Sequence, residues 1–255
     1  MADCYERVLV PTVFQPFASV LADRLLQGSP SRILELAAGT GVLTREVLAL
    51  APEVRVTATD LNEAMVRYGR ATVPEATWAT ADAMRLPFQD ATLEVVACQF
   101  GAMFFPDRVA AFKEAGRVLA PGGRVTLSVW DALETHDFES VVTEAMRTFF
   151  PDDPPLFLAE VPHGCHDANQ IVAALAAAGW ASVVCDTITV TGRAESVAEL
   201  ARGYCEGTPL RAAILARGDL EETSVRLVDE MVNRLGAGPV EGRMGAHIFE
   251  AVWPG

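Results

Sequence analysis

Three carboxylates stand where they could hold one ligand. Glu35 closes the apolar run Ile33-Leu34, Asp60 closes Val54-Arg55-Val56-Thr57-Ala58-Thr59, and Asp82 follows Ala76-Thr77-Trp78-Ala79-Thr80. Between the first two lies Ala37-Ala38-Gly39-Thr40-Gly41, and then Val42, Val47, Leu48 and Leu50 mark a helix. A glycine turn between a strand and a helix brings bare main chain to the carboxyl end of a sheet, and the helix start offers free N–H groups. A nucleotide is what such a turn accommodates. Asp60 follows the turn by about 20 residues, the spacing at which a second strand tip accepts bonds from both ribose hydroxyls. Asp82 is placed to take an adenine amino group. Glu35 would repel a pyrophosphate and attract an ammonium. The set suits a ligand with adenine, ribose and an amino-acid tail. A dinucleotide-binding turn needs a third glycine for close helix packing, and position 44 is Thr.

These residues need a sheet with covered faces to position them. Val13 to Leu26 carries apolar residues at helical spacing, which predicts a helix over 13–27 packed before the first strand. Asn62 is a helix cap after Asp60. Leu93–Gln99 reads as a fourth strand, 107–119 as a helix and Arg124–Trp130 as a fifth strand. Alternation on this scale implies a parallel sheet buried on both sides. Beyond Asp131 the pattern gives a helix over 136–150, loops over 151–155 and 160–166, a helix capped by Asp167, and a strand over 183–190. Two or three helices follow over 195–236, with a last strand over 244–253.

The arrangement resembles the class I S-adenosylmethionine-dependent methyltransferases from about Arg32 to Trp130. Glu35, Gly39 and Gly41 match the family's first motif, with Ala37 replacing its first glycine, as in the ubiquinone and menaquinone branch. Arg85-Leu86-Pro87-Phe88 and the stretch Glu114 to Arg124, with its Pro-Gly-Gly turn, are further hallmarks of that branch. The resemblance implies an α/β, doubly wound, seven-stranded, mostly parallel Rossmann-like sheet with an antiparallel last strand. It implies S-adenosylmethionine as cofactor, held by Glu35, Ala37, Ala38, Gly39, Gly41, Asp60, Leu61, Asp82, Ala83 and Gln99. It also implies methyl transfer to a small organic acceptor. A non-catalytic S-adenosylmethionine-binding regulator and an NAD-dependent dehydrogenase are the alternatives. About fifty residues separate the last two strands, where the family minimum is a tight hairpin. The expected division is therefore one domain over 1–255, with a core of about 30–131, 167–192 and 243–253. A helical cap of about 1–28, 132–166 and 193–242 accompanies it.

Acceptor chemistry is less sharply marked. His163-Gly164-Cys165-His166 offers a base or a surface loop, and no further cluster completes a metal site, so no metal is expected. Asp131, at the end of the fifth strand, and Tyr204 are the other candidate catalytic residues. Phe100, Met103, Phe104 and Phe105 wall an apolar pocket or belong to the core. The 34 acidic and 20 basic residues of the 255 give a net charge of −14, which argues against nucleic acid as partner. Five widely spaced cysteines with no Cys-x-x-Cys pair read as reduced thiols in a cytoplasm. Neither a signal pattern nor an apolar run of membrane-spanning length occurs, so no stable membrane association is expected. A small-molecule substrate and, at most, a second copy of the chain as a homodimer are the expected partners.

Overall fold

The computed structural model describes residues 4–255; residues 1–3 of the expected cap segment lie outside that range. A π-helical stretch, Tyr5–Phe14, leads into α1 (Gln15–Leu25). Then come β1 (Arg32–Glu35), α2 (Val42–Leu50), β2 (Arg55–Asp60), α3 (Glu63–Thr72), β3 (Thr77–Thr80), β4 (Leu93–Gln99), α4 (Arg108–Val118) and β5 (Leu119–Trp130). The remainder is α5 (Asp137–Phe149), α6 (Phe157–Glu160), α7 (Ala168–Ala177), β6 (Ala181–Ala194), α8 (Val197–Gly207), α9 (Leu210–Leu215), α10 (Leu220–Leu235) and β7 (Val240–Val252).

The strands form one seven-stranded sheet in the order β3-β2-β1-β4-β5-β7-β6. β1 pairs in parallel with both β2 and β4, and β4 with β5. β7 runs antiparallel to β5, with Arg124 opposite Val252 and Trp130 opposite Ala246. Ile33, Leu34, Val95, Val96 and Ala97 are buried, as central parallel strands covered on both faces must be.

By its contacts the chain forms two units. One comprises residues 17–130, 167–188 and 246–255 and holds most of the sheet. In it α1 lays Phe17 edge-on against Phe100 and Trp130, whose rings stack with centroids 3.4 Å apart. Phe100 and Met103 are therefore core, whereas Phe104 is 51% exposed. The other unit comprises, among the described residues, 4–16, 131–166 and 189–245 and is mostly helical. α10 packs on α8 and α5, burying Leu227 and Met231, and the π-helical stretch packs on α8.

The N-terminal helical run starts at Tyr5 rather than at 13, because Val8, Leu9 and Val10 are already buried. Pro11 inside it has no N–H to give, and a wider turn suits that gap in the regular bonding. The expected loop over 160–166 holds the last residue of α6 and a 3₁₀ turn, His163–Cys165. β6 extends beyond both of its expected ends, and β7 starts four residues before its expected start and ends at Val252. The exposed Ser182, Thr191, Arg193 and Arg243 and the buried Gly192 and Gly242 of the added parts are recruited by pairing and carry little apolar signal of their own.

Candidate functional site

β1 delivers Glu35 to the carboxyl end of the sheet, and the chain then turns sharply. Leu36 N–H donates to Ala97 O at 2.8 Å and Ala38 N–H to Thr59 O at 2.9 Å, which ties the turn to β4 and β2. Ala37 sits at φ +52°, a left-handed conformation natural to the glycine that the family motif carries there. Gly41, at φ +90°, is the N-cap of α2, and a Cβ on it would come within 2.8 Å of the Trp78 ring. At Gly39 the reverse holds: a Cβ would meet nothing within 4 Å. That space, beside main chain, is what a ligand requires.

Asp60 ends β2 and faces this turn. Its Oδ2 accepts from Gly39 N–H and its Oδ1 from Asn62 N–H, both at 2.8 Å. Asn62 caps α3 as expected, accepting from Ala64 N–H. Leu61, next to Asp60, is 73% exposed, the fully displayed apolar residue of the group. Thr59 Oγ1 donates to the main-chain carbonyl of Glu35 at 2.8 Å, which locks the two strand tips together.

Glu35 itself is buried, 2% exposed, and the Thr44 hydroxyl donates to its Oε2. Burial pushes this carboxyl up to about 8 against the bonds from Thr44, and Asp60 adds like charge. Thr44 is thus the hydrogen-bond partner of Glu35, whereas the sequence reading used it only to exclude a dinucleotide. Its presence at the third-glycine position, facing an acidic strand end, was the available signal.

Asp82 Oδ1 accepts from Met84 N–H at 2.9 Å, and Asp82 bridges to Arg85, so its carboxylate shapes the turn that also holds Ala83. The two hallmark stretches that follow meet here. Glu114 of α4 accepts from Leu86 N–H, and Arg117 donates to the carbonyls of Leu86 and Phe88 and to Asp90. The bond from Arg117 holds the Glu114 carboxyl below the usual range. This clasp fixes the loop after Asp82. Gln99 ends β4, buried, opposite Ser128 of β5. A cavity at the amino ends of β1–β3, lined by Arg32, Glu53, Arg55, Glu75 and Thr77, lies away from all of these residues.

The candidate catalytic residues fall in the helical unit and are linked there. His163 Nδ1 lies 2.8 Å from Asp131 O, and His166 Nδ1 2.6 Å from His163 O. The His163 ring meets His136 edge-on at 4.4 Å. His136 Nδ1 faces Glu139 Oε2 at 3.6 Å, and Tyr204 donates to Glu139 Oε1 at 2.6 Å. His136 and Glu139, both buried, are the two members that sequence reading missed. Burial drives the His163 ring down to about 4, with His136 adding repulsion, so neutral His163 donates from Nδ1–H to the carbonyl. Tyr204, pushed up by burial and by Glu139, remains a phenol donor. His166 is exposed. Among the described residues no group of three or more His, Cys, Asp or Glu is placed to hold a metal ion. No helix there is long and apolar enough to cross a membrane.

Residues 33–123 match a family model described as a methyltransferase domain. The chain is 35% identical over 129 residues to a demethylmenaquinone methyltransferase of Deinococcus radiodurans, covering 49% of this chain and 54% of that protein. It is 32% identical over 169 residues to one from Mycolicibacterium vanbaalenii, covering 62% of this chain and 72% of that protein. Among solved structures it resembles a phosphoethanolamine N-methyltransferase of Haemonchus contortus in complex with S-adenosylhomocysteine. There the TM-score is 0.63 at 16% identity, over 100% of this chain and 57% of that one, a likeness of fold. The residues around the turn fit S-adenosylmethionine on their own terms. Gly39 leaves open space, the buried Thr40 hydroxyl has no hydrogen-bond partner, and two carboxylates match ribose hydroxyls and an ammonium.

Proposed function

This chain belongs to the class I S-adenosylmethionine-dependent methyltransferases, in their ubiquinone/menaquinone branch, and from that membership we propose that it transfers a methyl group to a small organic acceptor. The observation that carries the reading is the convergence of the Gly39 turn, Asp60 and buried Glu35 at one end of the sheet. Asp60 holds the ribose, the Gly39–Gly41 turn admits the methionine portion beside bare main chain, and Glu35 receives its ammonium. Leu61 covers an adenine face, and Asp82 with Ala83 lines the adenine edge. Gln99 lines the methionine end. When bound, the cofactor supplies a methyl group activated by its sulfonium. The protein's part is then to align and desolvate, and proximity can supply on the order of 7–11 kcal/mol at the upper end.

We assign acceptor choice to the helical unit, whose Asp131, His163, His166 and Tyr204 are connected through His136 and Glu139. Because relatives are named demethylmenaquinone methyltransferases, a demethylated naphthoquinol is the first acceptor to try. The −14 charge argues against nucleic acid, and five free thiols suit a reducing cytoplasm. S-adenosylhomocysteine should raise the melting temperature by mass action, and NAD should not. A shift with NAD and none with S-adenosylhomocysteine would overturn the proposal.

A further inference from the structure

Glu35 is a buried carboxyl with no buried cation to match it among the described residues. Thr44 of α2 supplies its donors, the hydroxyl and the main-chain N–H. The other charged or titratable neighbours do not neutralise an anion there. From α2, Arg45 acts on it only at range, its guanidinium donating to Thr40 O at 3.2 Å. From β2, Asp60 adds a like charge. From β4 comes the Cys98 thiol, itself pushed up to about 12 by burial and therefore neutral. One hydroxyl and one main-chain N–H, both neutral donors, do not replace the lost hydration of a buried carboxylate, so the acid form is the stable one in the free protein. An incoming ammonium reverses this balance, because it brings a full opposite charge into the same dry space.

We infer that Glu35 is protonated in the free protein and releases its proton to solvent as the ammonium of the cofactor arrives, so that cofactor capture is a proton-coupled step. The inference rests on reading this turn as the S-adenosylmethionine site. The chemical change is small and balanced: the Glu35 O–H bond breaks, the proton goes to water or buffer, and an ammonium–carboxylate pair forms. Affinity then depends on pH on the acid side of neutrality, through a residue that catalysis itself does not use.

Calorimetric titration of the full chain with S-adenosylhomocysteine, in buffers of differing ionisation enthalpy, tests this. At about pH 6.5 the slope of heat against buffer enthalpy should report close to one proton released per ligand bound. In wild type alone, the dissociation constant should tighten up to about tenfold per pH unit between roughly pH 5.5 and 7.5. Glu35→Gln should bind more weakly, with that proton release and that pH dependence gone. Binding by wild type with buffer-independent heat and a flat pH profile would overturn the inference and leave the cofactor reading intact. Undiminished proton release from Glu35→Gln would also overturn it. Absence of any binding would overturn the cofactor reading on which it rests.

Discussion

Asp60 divides its two oxygens between the Gly39 turn and the start of α3, and each keeps a lone pair for a ribose hydroxyl. Asp60→Asn keeps the shape and loses the charge that strengthens all four bonds. Charge-assisted bonds contribute about 1.5–3 kcal/mol, so the dissociation constant for S-adenosylhomocysteine should rise at least about tenfold, with the circular dichroism spectrum unchanged. Calorimetry decides it, and unaltered affinity would remove Asp60 from the site. Ala37 and Gly101 are a second matched pair. A Cβ on Gly101 would stand 2.4 Å from Ala37 Cβ and 2.8 Å from Cys98 Sγ, so the residue that replaces glycine in the motif is accommodated by a glycine across from it. Gly101→Ala should cost about 1–3 kcal/mol by overpacking. Ala37→Gly relieves a left-handed alanine and should be neutral or stabilising by up to about 1 kcal/mol. The double variant should recover part of the Gly101→Ala loss, a coupling readable by urea titration. Strict additivity would mean that the two loops do not meet.

At the scale of elements, α5 and α8 share a buried carboxylate. Burial raises the Glu139 carboxyl, but His136, His163 and the Tyr204 hydroxyl bring it below its ordinary value, so it is held as an anion. His163 is held neutral, with its folded value of about 4 below the ordinary one. Both groups bind protons more weakly folded than unfolded, so their stabilisation is present at neutral pH. It is lost as the pH falls through the ordinary histidine range toward about 4. Tyr204→Phe removes one donor from the buried anion and should cost about 1–3 kcal/mol at neutral pH. His163→Gln should flatten the acid limb of a melting-temperature profile between about pH 6.5 and 4; an unchanged limb would place the sensitivity elsewhere. This network was poorly legible in the sequence because Tyr204 and Glu139 are 65 residues apart. No local pattern links two helices at that distance, so Tyr204 and His163 were visible only as isolated polar residues. Local chemistry was legible. Asn62, Asp107 and Asp167 were read as helix starts from type and position, and each side chain accepts a first-turn N–H. The Glu35, Gly39 and Asp60 positions were legible for the same reason, since strand tip and turn residues are fixed by spacing. The partner of Glu35, Thr44, was not, because its role depends on how α2 turns back over β1.

Across the whole molecule, the two units answer to different tests. All four tryptophans, at 78, 130, 180 and 253, belong to the unit that holds the proposed cofactor residues, so intrinsic fluorescence follows that unit. Glu35 gives it a pH response opposite in sign to that of the His163 network. Its folded value of about 8 lies above the unfolded one, so stability is present below the ordinary glutamate range and is lost as pH rises toward about 8. The free protein should therefore show a falling fluorescence-detected melting temperature between about pH 5 and 8, and Glu35→Gln should remove the slope. Hydrogen exchange extends the test to the assignment of functions. S-adenosylhomocysteine should slow exchange around 35–44, 58–62 and 99–101, because these strand tips and turns order the ligand. Segments 139–149 and 220–235 should respond little, and Glu206→Gln and Tyr204→Phe should leave cofactor affinity within about twofold of wild type. Turnover of the acceptor should be where those variants differ. If the cofactor instead protected α5 and α10 as strongly as the Gly39 turn, or if Glu206→Gln weakened it tenfold, the helical unit would belong to cofactor binding. The division of labour proposed here would then fail.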